Sequence, residues 1–267
     1  MIKTISWITV AITLFSSQLT AQEMLGYTIH APPLNFVLTP KQGEPGEPEI
    51  TGFTTDVIKE IFHRTRDIVN IEIIPWARAY RNAKTINNNF IFSIARTAKR
   101  EAQFKWVGPI ARKKARLFAK SDSLISINSL ADAKKVASIG TMREDSKEQY
   151  LKQQGFTNLQ STTHWEQGLG KLLLGRTTLF AATDLDIQAI SREAQINPHL
   201  MKAVFTMYGY NIYIGFSQLT SDRLIARWQA ALDDMKNDGS FQKLVDKWAA
   251  YYQAPNWEVK DGMLQVK

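Results

Sequence analysis

GFTTDVIKEIFHRTRDIVNIEIIPWARAYRNAKTINNNFIFSI, running from Gly52 to Ile94, decides the fold class of this chain. Val57, Ile58, Ile61 and Phe62 recur at helical spacing from about Thr54, with Lys59, Glu60 and His63 outside that stripe. Such a pattern predicts an amphipathic helix. Ile71 to Ile74 is a β-rich run closed by Pro75, which reads as a strand. Trp76 to Thr85 is then a helix and Asn89 to Ile94 another strand. Upstream, Leu25 to His30 reads as a first strand ended by Ala31-Pro32-Pro33, and Lys41 to Glu49 as a Pro/Gly/Glu-rich surface loop. This β-α-β-α-β alternation calls for an open, mainly parallel sheet with helices on its faces.

A second α/β passage follows Pro109. Ala115 to Lys120 is strand-like, Ser129 to Ala133 a short helix, Val136 to Ile139 a strand ending at Gly140, and Ser146 to Gln154 a helix closed by Gly155. Trp165 to Leu174 is helical, Thr178 to Ala182 is a strand ending at Asp184, and Ile212 to Phe216 is a further strand. Two helices close the chain. Thr220 or Ser221 caps the first, whose Leu224, Trp228, Leu232 and Met235 form one apolar stripe before Gly239. Phe241, Leu244, Val245 and Trp248 do the same for the second.

Met1 to Ala21 has the form of a secretory signal, with Lys3 in a basic n-region, an apolar core from Ile5 to Phe15, and Leu19-Thr20-Ala21 as the cleavage site. The apolar run is shorter than the roughly 20 residues of a membrane-spanning helix. The expected location is therefore the periplasm of a Gram-negative cell. The chain has 267 residues, no cysteine and a formal charge of +8, so neither a disulfide nor thiol chemistry is available. Its basic residues are dispersed apart from Arg112-Lys113-Lys114 and Arg116. Export argues against nucleic acid as the partner, and the charge suits a small anionic ligand.

The run Ser93-Ile94-Ala95-Arg96-Thr97-Ala98-Lys99-Arg100, followed by FKWVGP (Phe104 to Pro109), gathers guanidiniums at an expected strand-to-helix junction. Guanidinium forks grip carboxylates through paired hydrogen bonds, and a helix start adds free N–H donors. His30, His63, His164 and His199 are far apart and show no metal-ligand spacing. No G-x-S-x-G elbow or phosphate-cradling glycine loop is present. No metal, cofactor or catalytic group is expected from these patterns.

Several segments, in order, resemble the family 3 bacterial extracellular solute-binding proteins: GFTTDV (Gly52 to Val57), Pro75-Trp76, Thr97 to Arg100 with FKWVGP, SLADAKKVASIG (Ser129 to Gly140), LLLGRTTLFAATD (Leu172 to Asp184) and DDMKNDGSFQKLVDKW (Asp233 to Trp248). The resemblance implies a two-lobed α/β periplasmic-binding-protein fold of type II. Each lobe would be an open, mostly parallel sheet flanked by helices, and two crossing strands would join them. Lobe one would hold 22–112 and 213–267, and lobe two 113–212. A small carboxylated, amino-acid-like solute would bind between the lobes of a monomer and pass to an inner-membrane ABC permease or a membrane sensor.

By the same resemblance, Arg100 would bind the ligand carboxylate and Asp184 its α-ammonium, while Asp145 and Ser146 would offer a hydroxyl and backbone amides at a helix start. Trp76 would supply a ring, with Arg78, Arg96 and Arg143 as further cations and Ser93 as a hydroxyl beside them. The chain departs from the family where Ala95 replaces a hydroxyl residue, and where Leu34 replaces an aromatic, leaving Phe36 further on as the candidate ring. The added arginines imply an extra acidic group on the ligand. An alternative on the same scaffold is a lyase resembling cyclohexadienyl dehydratases, with Glu144, Asp145 or Asp184 as general acid.

Overall fold

A computed structural model describes residues 23–40, 45–143 and 145–267. The expected signal segment and Glu144 lie outside the described residues. The first passage runs β1 (Glu23–Thr28), β2 (Phe36–Leu38), β3 (Glu49–Thr51), α1 (Phe53–Thr65), β4 (Ile68–Ile73), α2 (Trp76–Thr85) and β5 (Phe90–Ala95). β1 pairs in parallel with β4 and β5, as the alternation requires. The short antiparallel pair β2–β3 was not foreseen. Val57, Ile58 and Ile61 are fully buried on α1, as their spacing predicts.

The chain then enters β6 (Phe104–Lys120), a strand of 17 residues. Next come α3 (Leu130–Lys135), β7 (Ile139–Met142), α4 (Ser146–Gln153), β8 (Leu159–Thr162), α5 (Trp165–Leu173), β9 (Leu179–Thr183) and α6 (Asp186–Glu193). β7 lies three residues later than expected, and β8 and α6 are additions to the sequence reading. β10 (Met201–Ser217), also 17 residues long, runs antiparallel to β6 from Met201 opposite Lys120 to Ser217 opposite Phe104. α7 (Asp222–Asn237), α8 (Ser240–Tyr252) and a hairpin of β11 (Trp257–Lys260) and β12 (Met263–Val266) complete the chain.

All but β2 and β3 join one sheet, in the order β4-β1-β5-β10-β6-β9-β7-β8, with β12 pairing β6 at Leu264 and Ala111. β6 and β10 are the two crossing strands, and each serves both lobes. On the first lobe, α1, α7 and α8 cover one face of the sheet, burying Phe53, Phe90, Phe216, Trp228, Phe241 and Trp248. In the second lobe, neighbouring residues of β6 and β9 enter different cores. Leu117 and Leu179 join Ile139 and Leu151, whereas Phe118 and Phe180 join Leu169 and Ile190. Period-two alternation on a strand covered on both faces has this consequence.

Both crossing strands start earlier than the sequence suggests. In β6 the interruption is Gly108-Pro109, where the ladder steps from Ile212 opposite Ala111 to Ile214 opposite Val107. A bulge accommodates a proline that a regular ladder would reject. A Cβ on Gly108, whose φ is +145°, would lie 2.6 Å from the Tyr213 ring.

Gly52 fixes the start of α1. Phe53 and Thr54 donate their N–H groups to the carbonyls of Pro33 (3.0 Å) and Leu34 (2.9 Å), so the loop after β1 caps the helix. A Cβ at Gly52, with φ +124°, would approach the Leu34 carbonyl oxygen to 2.5 Å. Gly52→Ala is therefore expected to destabilise the protein by roughly 1–3 kcal/mol through backbone strain. Urea unfolding would show this as a lower midpoint, and an unchanged midpoint would contradict the close approach.

Candidate functional site

Strand register locates the cleft. β5 advances against β10 from Phe90 opposite Phe216 to Ala95 opposite Ile212, and so points from lobe one toward the middle of the crossing strands. β9 advances against β6 from Phe180 opposite Phe118 to Thr183 opposite Ala115, pointing at the same region from lobe two. The carboxyl ends of both parallel sets therefore face each other across Ala111–Lys114 and Tyr208–Ile212. Ligands of open α/β sheets bind at such strand ends.

On lobe one a chain of rings runs from the start of α2, through the buried Phe104, to β10. Trp76, Tyr80, Phe104, Trp106 and Tyr213 form a chain of ring contacts with successive centroids 5.7, 5.1, 5.5 and 6.0 Å apart. Arg100 lies over Trp76 and Tyr80, 5.1 and 5.6 Å from their centroids, and donates to the Ala95 carbonyl at 3.1 Å. It has no carboxylate partner among the described residues. Arg96 lies over Trp106 and Tyr213, and Glu101 accepts from its Nε at 2.8 Å and its Nη2 at 2.5 Å. That fork, above all, raises the Arg96 pKa and lowers that of Glu101. Of these two arginines, Arg96 is thus already paired, whereas Arg100 has no carboxylate partner among the described residues.

The expected helix start after Thr97 is a turn with a single 3-10 turn, Glu101–Gln103, because the β-rich FKWV segment claims the chain at Phe104. Arg78 is exposed on α2. Ser93 adopts φ 60° at the irregularity in the β5–β10 ladder and donates to the Asn35 side chain. Phe36 requires a correction as a ligand-facing ring: it is buried in the lobe-one core against Trp248, with centroids 5.7 Å apart. Strand β2 directs it there.

A hollow of about 250 Å³ lies along the middle of the crossing strands, lined by Arg96, Arg112, Gly209, Tyr210, Asn211 and Tyr213. Arg112 crosses Gly209, where an added Cβ would lie 3.5 Å from its Nη2.

Lobe two brings together charges that the sequence did not reveal as a group. Asp145 caps α4 by accepting the Lys147 N–H at 2.8 Å. Its two oxygens also lie 2.9 and 3.1 Å from the Lys147 ammonium, which is 3% exposed and 5.4 Å from the Trp165 ring centre. Lys113, on β6, pairs with Asp186 at 2.5 Å. Burial alone would raise the Asp186 pKa, but Lys113 and Lys147 together hold it down. Tyr208, its hydroxyl bonded to Ser146, and Tyr210 stack beside this cluster with rings 6.0 Å apart. Burial pushes both phenols above their ordinary value. Arg143 is exposed, and its backbone N–H reaches Thr162.

Asp184 is placed away from this cluster. Its Oδ1 accepts from the backbone of Lys114 (2.9 Å) and Leu185 (3.0 Å), and Arg116 stands 3.7 Å from Oδ2. It lines a separate hollow of about 320 Å³ with Arg116, Gln188, His199, Gln253 and Lys267. No lining residue of that hollow comes from the chain of rings on lobe one. Asp186, two residues on and at the start of α6, is the carboxylate that joins the strand-end cluster. The sequence shows both aspartates but not which way the turn sends each. Lys147 carries no sequence signal, since a lysine is expected at the surface by default.

The sequence model described as "Bacterial extracellular solute-binding proteins, family 3" matches residues 24–251. No curated protein sequence matches the chain. Similar solved structures include a histidine kinase sensor domain with similarity to periplasmic binding proteins (TM-score 0.67, 19% identity, covering 85% of this chain and 96% of that one). An arginine-binding protein variant from T. maritima gives a TM-score of 0.66 at 16% identity, covering 85% and 95%. A Streptococcus pneumoniae transporter binding protein with bound histidine gives 0.67 at 14%, covering 85% and 92%. At these identities the likeness is one of fold.

Burial, the largest effect, raises the Asp184 pKa above its ordinary 3.8, against the opposing pull of the Lys114 N–H and Arg116. The folded state then binds this proton more tightly than the unfolded state, so Asp184 lowers stability as pH rises from about 4 through its folded pKa. Asp184→Asn removes that dependence. The melting temperature of the variant relative to wild type is expected to be more favourable at pH 7 than at pH 4, and the opposite trend in calorimetry would contradict it.

Proposed function

Because the chain belongs to the bacterial extracellular solute-binding proteins of family 3, we propose that it closes two lobes on a small carboxylated solute outside the cytoplasmic membrane and passes it to an inner-membrane permease. The observation that carries this reading is Arg100, stacked on Trp76 and Tyr80 at the carboxyl end of β5 with no carboxylate partner among the described residues. Stacking and the bond to Ala95 restrain the guanidinium before any ligand arrives. A preorganised fork loses less entropy on gripping a carboxylate than a free one. Lobe boundaries at 112/113 and 212/213 fall inside β6 and β10, and bending of these two strands would close the gap.

The role is binding rather than catalysis. Asp145, one general-acid candidate of the lyase alternative, has both oxygens committed to Lys147. The amino acids named for the transporter relatives support a carboxylated ligand for this chain. The sensor-domain relative supports a second reading, in which a membrane sensor rather than a permease receives the closed form. Uptake of the bound solute by cells with and without the chain separates the two.

Titration calorimetry against a panel of small organic acids and amino acids tests the binding reading. At least one carboxylate is expected to bind, and Arg100→Ala is expected to weaken it by about 10- to 100-fold, the equivalent of roughly 1.5–3 kcal/mol for charge-assisted hydrogen bonds. Undiminished affinity in that variant would overturn the assignment of Arg100.

A further inference from the structure

We infer that Lys147 is a built-in ammonium that occupies the acceptor site of lobe two, so that the cleft selects organic anions lacking an amino group. The inference rests on the binding reading above and names its ligand class.

Lys147 stands in the first turn of α4, next to Ser146. A cation there opposes the helix dipole, which favours negative charge at the amino end. Lysine is also almost never fully buried without a partner. Yet this one is 3% exposed, between the two oxygens of Asp145 and the Trp165 ring. Neither position is explained by helix stability, so the ammonium must answer to the carboxylates around it. Despite burial, Asp145 and Asp186 keep its pKa above the ordinary lysine value.

The second cation completes the pattern. Lys113, 7% exposed, takes Asp186 at 2.5 Å. Two ammoniums and two carboxylates thus cancel at the ends of β7 and β9. A ligand ammonium arriving here would find these acceptors taken and two positive charges in place. Burying it would require a desolvated cation without a counter-ion, which costs several kcal/mol. Glu101, the carboxylate on the opposite wall, is likewise taken, by Arg96. Glu166, in the first turn of α5, is exposed and lies toward Glu193 rather than Lys147.

Among the described residues, the charged groups left unpaired at the strand ends are cations. Arg100 lies over its rings, and Arg112 borders the hollow along the crossing strands. Neither has an ion-pair partner among the described residues. Tyr210 links the two regions, since it lines that hollow and stands within the field of Lys147 and Asp186. Among the described residues, lobe one and the hinge therefore offer unpaired guanidiniums, and lobe two an internally paired cluster beside the exposed Arg143.

Calorimetry with the purified protein tests this, using carboxylates each matched to its 2-amino counterpart, such as succinate with aspartate and 2-oxoglutarate with glutamate. In the pair that binds, the amine-free member is expected to be at least tenfold tighter. Lys147→Met, which empties the ammonium site, is expected to shift that ratio at least tenfold toward the amino compound. Tighter wild-type binding of the amino member overturns the inference whatever the variant does, so a poorly folding variant does not protect it. An unchanged ratio in a variant with a cooperative melt overturns it as well. Arg100→Ala weakens both members alike, and binding of neither member of any pair by wild type defeats the receptor reading itself.

Discussion

The antiparallel ladder between β6 and β10 is the constraint on which the rest of the molecule depends. It runs the length of both strands, and each strand has one end in each lobe. Because β5 and β9 attach to it with opposite headings, their carboxyl ends meet over its midpoint. The site then follows from register alone, before any side chain is considered. Away from the ladder the lobes also meet where α6 packs on α8, with Arg192 over the Tyr251 ring. Asp184 anchors β6 to lobe two just beyond the midpoint, through the Lys114 N–H. Its buried carboxyl is thereby built into the frame.

The two walls of the cleft are built on different electrostatic plans. Lobe one spreads its cations over rings, where cation–π contact holds guanidiniums at modest desolvation cost. Lobe two buries ammoniums with carboxylates, an arrangement that is net favourable only when every charge finds a partner. Arg96 with Glu101 shows how one arginine is paired by a neighbour five residues away. Arg100 has no such neighbour, and the two arginines of one short run end in different surroundings.

Much of the scaffold was legible because its signals are local. Pro75 before Trp76 and the β-rich Phe90 segment after the helix bounded α2 as read, and the stripe on α7 marked Trp228 as core. The crossing strands were seen only in their apolar halves. Their middles alternate charge and aromatic residues across a bulge, and so lack a clean period. Arg100 drew attention as the last arginine of a short basic run, and the structure sets it over two rings. Lys113 and Asp186 could not be paired from the sequence, because their contact joins β6 to the start of α6, far apart in the chain. Asp184 and Phe36 show the converse, residues of suitable chemistry whose direction is set by the backbone rather than by type.

The hairpin of β11 and β12, which pairs with β6 at Ala111, has a consequence for the order of events during synthesis and export. The lobe-one core contains Met24, Phe53 and Phe90 together with Trp228, Trp248 and Leu264. The lobe-two cores draw on a continuous stretch between Leu117 and Met207. A chain released from its amino end therefore completes lobe two first, while the opening βαβ segment waits with its apolar faces uncovered. Contacts spanning most of the chain form late and slowly. That waiting interval, rather than the finished fold, is when this protein is most exposed to aggregation and proteolysis.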